Sequence, residues 1–405
     1  MLGQWLVDYV KFKGFNLPGL YFTLLKFKKI YKKRVVWLDQ LDHSHRKVDC
    51  AVHPCVSYSP AIDSSADAVK AHSVEVETSF YHFSNVLFNI RSSGFLLLES
   101  DTLILERLPE VSLNYCDYSA GFIRMHSESY ALIRLNRKKI KLNRVLFLGG
   151  NGCFNYYHWI IELAPKILYL NEQLLEDYPV DCIVCDSAIE NIESFRKILT
   201  ALLAVAKIDL PVVFVDKYDE VYADEVLYIS NMNNVVFNTV DKLSSVQYSH
   251  FSPSLLAETR NILIQSVKPE KAAYSRIFLA RKETQARLYN QDEVLGYFMT
   301  QGFRPVYLEE YSFDEQIALF GAAEFIVGPS GAAWSNLIFC QKGCKGISWL
   351  PEKLSEFSVF SSLAKIFECD LRFVMTDQMA DEQDIHSDYK VNVTDLQKLY
   401  EKMRD

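Results

Sequence analysis

The sequence lacks several features that would place it in a familiar class. No stretch of about 18 uncharged apolar residues occurs, and the amino terminus has no basic segment followed by a short apolar core and a small-residue cleavage site. The glycines form neither a Gly-Lys-Ser/Thr phosphate loop nor a Gly-x-Gly-x-x-Gly turn. These absences predict a cytoplasmic protein and exclude the two commonest nucleotide-binding loops.

Cysteine is present without any regular framework. The nine cysteines indicate reduced thiols in a reducing compartment. Cys182 and Cys185 have the spacing of a metal site, but they lie in an apolar segment that predicts a buried strand, where they would point to opposite faces. Cys340 and Cys344 have no nearby pair of histidines to complete a zinc set. We therefore expect structural thiols, no bound metal and no cofactor.

The charge is modest overall and uneven along the chain. The 405 residues carry a net charge of −8, yet residues 1–34 hold eight Lys or Arg against Asp8 alone, a local charge of +7. Aromatic residues such as Trp5 and Phe12 are interleaved with these cations, which suits an anionic membrane surface. A basic helix packed on its own domain is the alternative. The remainder of the chain is acidic, which disfavours nucleic acid as a partner.

The hydrophobic pattern predicts an α/β protein with two domains. Residues 35–140 contain short alternating segments that favour antiparallel strands. From residue 145 onward, apolar strands alternate with helices, as in parallel sheets covered on both faces. We expect a basic amphipathic segment over residues 1–34 and α/β domains over residues 35–250 and 251–405. Helices are predicted over residues 157–175, 190–206, 253–267, 291–300, 312–321 and 391–403, and strands over residues 145–148, 181–185, 211–215, 276–280, 304–307, 324–327 and 346–349.

A histidine and a glutamate are spaced to share one face of the first predicted helix. His158 and Glu162 are four residues apart, so the carboxylate can fix the tautomer of the imidazole and raise its basicity. Such a pair suits removal of a proton from an alcohol. A core or capping histidine is the more common meaning of this spacing. The neighbouring Tyr156, Tyr157 and Trp159 predict either a sugar-stacking wall or core packing.

Two arginines and a glycine turn predict an anion site in the second domain. Arg281 and Arg287 follow a predicted strand at its carboxyl end, where open α/β sheets bind ligands, and guanidinium groups bind diphosphate oxygens bidentately. The run Gly328-Pro-Ser-Gly331-Ala-Ala-Trp-Ser-Asn336 predicts a turn into a helix whose N–H groups an anion can approach. A purely structural turn is the alternative. Asn290, with Glu293 three residues later, suits a helix N-cap at least as well as a ligand contact.

These motifs together resemble glycosyltransferase family 61, whose members include capsular and lipopolysaccharide enzymes of bacteria and sugar transferases of plants and animals. The resemblance covers roughly residues 145–350. Its motifs are Asn155-Tyr-Tyr-His-Trp-Ile-Ile-Glu162-Leu-Ala-Pro165, then Phe278-Leu-Ala-Arg281 with Arg287-Leu-Tyr-Asn290-Gln-Asp-Glu293, then Glu315-Gln316-Ile-Ala-Leu-Phe320 ahead of the glycine run. Ser330 stands where many members have histidine, and Trp334 replaces a smaller residue.

The resemblance implies a GT-B-like fold of two doubly wound, Rossmann-like domains facing a central cleft. It implies an inverting, metal-independent transfer from a nucleotide sugar, with UDP-sugars favoured, in which residues 35–250 bind the acceptor and residues 251–405 the donor. The implied catalytic residues are Glu162 and His158. The implied donor-binding residues are Arg281, Arg287, Asn290, Gly328, Ser330, Gly331, Ala332 and Asn336. The implied acceptor-side residues are Asn155, Tyr156, Tyr157 and Trp159.

The expected acceptor is a glycan or lipid-linked glycan of a bacterial capsule or lipopolysaccharide. The expected location is the cytoplasm, with residues 1–34 as a peripheral contact to the inner face of the membrane. Two other functions stay open at this point. A nucleotide-sugar epimerase of GT-B shape would act without any acceptor, and a non-catalytic sugar-binding or assembly protein would bind sugar without turnover.

Overall fold

A computed structural model describes residues 29–41, 46–62, 69–107, 121–135, 138–236, 245–268, 274–282, 288–378 and 388–404. Within these ranges the strands are β1 (Ile30–Trp37), β2 (Arg46–Tyr58), β3 (Ala61–Ile62), β4 (Ala71–Phe88), β5 (Gly94–Leu97), β6 (Thr102–Leu105), β7 (Ile123–His126), β8 (Tyr130–Arg134), β9 (Lys139–Phe147), β10 (Cys182–Asp186), β11 (Val212–Val215), β12 (Glu220–Ile229), β13 (Asn234–Val235), β14 (Ser249–His250), β15 (Arg276–Leu279), β16 (Arg304–Val306), β17 (Phe325–Val327), β18 (Lys345–Pro351), β19 (Asp370–Gln378) and β20 (Tyr389–Lys390).

The α-helices of the described part are α1 (Glu172–Asp177), α2 (Ser187–Asn191), α3 (Glu193–Ala206), α4 (Pro253–Ser266), α5 (Gln291–Thr300), α6 (Phe313–Ala322), α7 (Val359–Ile366) and α8 (Val393–Met403). A π-helix spans His158–Leu163, and 3₁₀ helices span Leu38–Gln40, Ala164–Tyr169, Val246–Tyr248, Leu308–Glu310, Ala332–Phe339 and Glu352–Leu354. No helix in the described ranges is long and apolar enough to cross a membrane.

The first sheet has eleven strands in the order β11-β10-β9-β12-β4-β5-β6-β1-β8-β7, with β2 paired to β4. Strands β11, β10, β9 and β12 are parallel neighbours, and all five residues of β10 are buried, as expected for a strand with helices on both faces. From β4 onward most pairings are antiparallel. The sheet is therefore mixed rather than doubly wound throughout, because short turns join the strands of residues 71–105 and such turns require antiparallel neighbours.

The second sheet has seven strands and a parallel centre. Its order is β16-β15-β17-β18-β19-β20, with β3 paired to β19, and the pairings from β16 to β19 are parallel. One of the helices that connect these strands begins with a side-chain cap. Ser312 caps α6 in a capping box with Glu315. The predicted alternation of strand and helix over residues 276–349 is confirmed.

A continuous apolar cluster joins the two sheets. It includes Trp159 and Ile198 from the first unit and Phe313, Trp334 and Phe339 from the second. Helix α4, which links the units, packs on α3 and on the 3₁₀ helix Ala332–Phe339. This packing brings Tyr156, which follows β9, within hydrogen-bond distance of Asn336, which follows β17.

Two predicted elements differ from the structure. The helix expected over residues 157–175 is a π-helix, then a 3₁₀ helix that opens with Pro165 in its first turn, then the separate α1 capped by Asn171. Proline has no N–H to donate, which interrupts the α-helical ladder. The basic segment over residues 1–34 is described only from Lys29 onward, and its last residues lie in β1, where they pair with β6 and β8 rather than forming a helix. Residues 1–28 lie outside the described ranges.

Candidate active site

The turn after β9 is built from glycines because the chain passes close to other groups there. A Cβ on Gly149 would lie 2.5 Å from the carbonyl oxygen of Ile90. Gly152 has φ +72°, a conformation that favours glycine, and a Cβ on it would lie 2.2 Å from Cδ2 of His158. The turn therefore passes directly over the imidazole ring.

The π-helix that follows carries the predicted histidine and glutamate as a hydrogen-bonded pair. Nδ1 of His158 lies 2.6 Å from Oε2 of Glu162, and both side chains are buried. The other carboxylate oxygen, Oε1, accepts hydrogen bonds from the Tyr157 hydroxyl at 3.1 Å and from the Val235 backbone N–H at 2.8 Å. An ionised carboxylate can only accept, so Oε2 of an ionised Glu162 accepts Nδ1–H, and the other nitrogen of a neutral ring, Nε2, then has no proton.

The four residues expected on the acceptor side have different positions. Asn155 and Tyr156 border a cleft between the two units. Tyr157 is buried and supports Glu162, and Trp159 is fully buried with its indole N–H donating to the carbonyl oxygen of Phe195 at 3.1 Å. The structure thus brings Asn155 and Tyr156 to the cleft, while Tyr157 and Trp159 belong to the packing beneath it.

On the second unit, Arg281 follows β15 and is held in place from both sides. The side-chain amide of Gln291 accepts the Arg281 N–H at 2.8 Å and donates to the Arg281 carbonyl oxygen at 2.8 Å. The guanidinium donates to the carbonyl oxygen of Ser330 at 2.6 Å. Arg281 is therefore fixed at the carboxyl end of the strand and against the glycine turn, as the sequence predicts.

The two glycines of the turn are required for different reasons. A Cβ on Gly328 would lie 2.6 Å from Cβ of Leu279, so close packing of the strand ends excludes a side chain. A Cβ on Gly331 would lie 3.0 Å from Nη2 of Arg281. The chain then enters the 3₁₀ helix Ala332–Phe339. Arg281 and the first N–H groups of this helix thus lie side by side, an arrangement suited to an anion.

Two adjoining clefts lie between the units, and neither His158 nor Glu162 is among the residues that border them. One, of about 590 Å³, is bordered on the first unit by Asn155 and Tyr156 and on the second by Ala332, Ala333 and Asn336. The other, of about 260 Å³, is bordered by Arg281, Gly331 and the same two alanines. The walls meet where the Tyr156 hydroxyl donates to Oδ1 of Asn336 at 2.6 Å. Motifs 180 residues apart in the chain therefore line one continuous opening.

Residues 156–347 match the family model described as Glycosyltransferase 61. The matched segment includes the His158–Glu162 pair and the whole glycine turn, and it supports assignment to glycosyltransferase family 61 and a glycosyltransferase activity. No curated protein matches the chain significantly.

Arg287 and Asn290 are two further residues that the family 61 resemblance implies as donor contacts. Arg287 lies outside the described residues. Asn290 precedes α5 without a side-chain cap to the helix, and its amide instead accepts from the Val391 N–H at 2.9 Å and donates to the Val391 carbonyl oxygen at 3.0 Å. Asn290 thus joins α5 to the segment before α8.

A group of buried charges beside Glu162 has no counterpart in the sequence predictions. Nζ of Lys166 donates to the carbonyl oxygen of Ile229 at 2.9 Å, and burial lowers the pKa of Lys166 to about 8 against the opposing attraction of Glu106 and Glu162. Glu106 accepts hydrogen bonds from the backbone and side chain of Asn231 at 2.8 and 2.6 Å. Glu106, Asn231 and Glu162 border a cavity of about 40 Å³, which is room for at least one water molecule. No motif marks these residues, because only the fold brings them together.

The seven cysteines whose side chains the structure describes are buried. Cys182 and Cys185 occupy the buried strand β10, as predicted. Cys340, Cys344 and Cys369 are buried beneath the second sheet. Across the described part of the chain, no group of three or more His, Cys, Asp or Glu side chains is arranged to hold a metal ion.

Proposed function

We propose that this protein is an inverting, metal-independent glycosyltransferase that moves a sugar from a UDP-sugar to a glycan acceptor of a bacterial capsule or lipopolysaccharide. One observation carries the proposal. The opening between the units has Arg281 and the Gly331 turn on one wall and the Asn155–Tyr156 turn, directly before the His158–Glu162 pair, on the other. The family match over residues 156–347 supports the transferase class.

The second unit supplies the donor site in this proposal. The diphosphate occupies the smaller cleft, where the Arg281 guanidinium and the N–H groups that follow Gly331 face it. When the bond between the anomeric carbon and the diphosphate breaks, its electron pair leaves with the nucleotide. Fixed positive charge and backbone donors stabilise that developing negative charge without any rearrangement during the reaction.

The first unit supplies the base. The lone pair at Nε2 of His158 accepts the proton of the acceptor hydroxyl, and the acceptor oxygen attacks the anomeric carbon on the face opposite the leaving diphosphate, which inverts the configuration. Glu162 positions the imidazole and stabilises the imidazolium that forms. Both carboxylate oxygens of Glu162 accept hydrogen bonds, which suits the positioning role proposed for it.

The architecture and location belong to the same proposal. The two units are the acceptor and donor domains of a GT-B enzyme in this proposal, over residues 35–250 and 251–405, although strand β3 of the first range joins the second sheet. Residues 1–34, with a net charge of +7, hold the enzyme at the inner face of the cytoplasmic membrane through anionic lipid headgroups.

Binding of nucleotide sugars to the purified protein tests the donor assignment. We expect UDP-sugars to raise the thermal unfolding midpoint with and without EDTA, and CDP-, GDP- and CMP-sugars to raise it less. Arg281→Ala should weaken this response about tenfold or more in affinity, since a charged hydrogen bond to phosphate is lost. Arg304→Ala is the matched control. Arg304 is exposed and is the first residue of the neighbouring strand β16, so it lies at the amino end of the strands, whereas Arg281 lies at their carboxyl end.

Product analysis tests the transfer itself. The donor that stabilises the protein is incubated with candidate glycan acceptors, and the anomeric configuration of the product is read by NMR. Net inversion with a glycan acceptor agrees with the proposal. Conversion of the donor sugar without any acceptor would identify an epimerase instead, and binding without turnover would identify a sugar-binding protein.

A further inference from the structure

An exposed phenylalanine stands on the first-unit wall of the larger cleft, next to the family motif but outside it. Phe154 is 39% exposed, although large aromatic side chains are usually covered. It borders the cleft with Asn155 and Tyr156, across from Ala332 and Asn336. The ring therefore presents apolar surface inside an otherwise partly polar opening.

The guanidinium of Arg91, which forms an ion pair with Asp186, packs against the Phe154 ring. The guanidinium carbon of Arg91 lies over the Phe154 ring, 4.3 Å from its centre. Arg91 is itself fixed by Asp186, with Nε to Oδ2 at 2.5 Å and Nη2 to Oδ1 at 3.0 Å. Asp186 is fully buried and also accepts the N–H of Ala188 at the start of α2. Arg91 thus covers one face of the ring, and Phe154 also borders the cleft.

The surroundings of the ring combine apolar and hydrogen-bonding groups. Ile192, 41% exposed, lies on the same wall. Glu193, Gln316 and Asn336 border the same opening. A pyranose ring has one face of C–H groups and a rim of hydroxyls, so it matches an aromatic platform ringed by carboxylate and amide groups. A nucleobase fits less well, because Arg281, which is expected to hold the diphosphate, borders only the neighbouring cleft.

We propose that Phe154 is the platform on which a sugar ring of the acceptor stacks, and that the Arg91–Asp186 ion pair positions it. This rests on the proposed function for the identity of the acceptor. It adds a specificity-determining residue on the first-unit wall: an acceptor whose terminal sugar offers an uninterrupted C–H face binds, and one without such a face binds more weakly.

Saturation-transfer NMR with simple glycosides tests the platform without knowledge of the natural acceptor. The probes are the methyl glycosides of glucose, galactose, mannose and N-acetylglucosamine, added to the protein with UDP present. We expect at least one probe to bind the wild type through its C–H face. Phe154→Ala should bind it about three- to tenfold more weakly, the size of an aromatic stacking contribution, while Phe154→Trp should retain it.

A second exposed aromatic provides the control. Tyr130 is 42% exposed and has Nζ of Lys32 at 3.9 Å from its ring centre, outside the residues that border the cleft. Tyr130→Ala should leave glycoside binding unchanged. Phe154→Leu, which keeps apolar volume but removes the ring, replaces the alanine variant if that variant fails to fold.

The outcomes separate this proposal from the one it rests on. Unchanged glycoside binding in Phe154→Ala, or binding of no glycoside by the wild type, overturns the platform. A parallel loss of UDP affinity in Phe154→Ala also overturns it, since the ring would then contact the donor. Glycoside binding that depends on Phe154 in a protein with no affinity for UDP would support the platform while refuting the donor assignment.

Discussion

Replacement of Glu162 by glutamine should switch the tautomer of His158 without disturbing the fold. The Val235 N–H and the Tyr157 hydroxyl both donate to Oε1, and the backbone N–H cannot act as an acceptor. The oxygen of a glutamine must therefore face them, which turns its NH₂ group towards Nδ1 of His158. Nδ1 must then accept, so the ring proton moves to Nε2 and the lone pair needed for proton abstraction is lost.

The expected magnitudes follow from these contacts. The Tyr157 hydroxyl, the Val235 N–H and Nδ1 of His158 each keep a hydrogen-bond partner in Glu162→Gln. The free energy of unfolding should therefore fall by about 1 kcal/mol, the difference between charged and neutral hydrogen bonds. The turnover rate should fall by about 10²- to 10⁴-fold, the usual contribution of a general base. Because both side chains act as one unit, the double variant with His158→Ala should lose little more than either single variant.

Two measurements check the reasoning. Nitrogen-15 NMR of the imidazole reports which ring nitrogen carries the proton, before any substrate is identified. Release of nucleotide from the stabilising donor in the presence of acceptor reports turnover. A wild-type ring protonated at Nε2 would refute the tautomer argument, and turnover of Glu162→Gln within about threefold of the wild type would refute the role of the pair.

Three further outcomes are expected. Gly152→Ala places a methyl group 2.2 Å from the His158 imidazole and should abolish turnover. The control is Gly302→Ala, which has a similar φ of +82° and no atom within 4 Å and should lower the free energy of unfolding by only about 1–2 kcal/mol. Equal loss of turnover in both variants would show that backbone strain alone is responsible. Gly331→Ala should push aside the Arg281 guanidinium, 3.0 Å from the new carbon, and weaken UDP binding at unchanged stability, as isothermal titration calorimetry can verify. Burial lowers the pKa of His250 from 6.5 to about 4, so the unfolded chain binds a proton at this residue that the native protein does not. His250 alone should therefore lower the free energy of unfolding by about 2 kcal/mol between roughly pH 7.5 and 5. Denaturant titrations of His250→Asn should show a pH dependence that is shallower by this amount, and an unchanged one would contradict the assignment.

The sequence determined much of the second unit, where local signals and tertiary packing agree. The helix over Gln291–Thr300 has the expected bounds, and the strand at Phe325–Val327 and the turn after it lie where apolar runs and glycines predict them. The same holds for the close contact of His158 and Glu162, because a separation of four residues brings side chains together on a helical segment whether its ladder is α or π. These features depend on neighbours in the chain.

Tertiary structure alone decided which of these residues share an opening. The sequence leaves Trp159 either in a sugar-stacking wall or in the core, and long-range packing against Phe195 places it in the core. Phe154 carries no motif, and its exposure depends on Arg91 and Asp186, which are distant from it in sequence. The spacing of residues along the chain predicts contacts within one helix or strand. Which strand ends meet across two sheets depends on how the sheets pack, and that packing is determined by side chains throughout the apolar core.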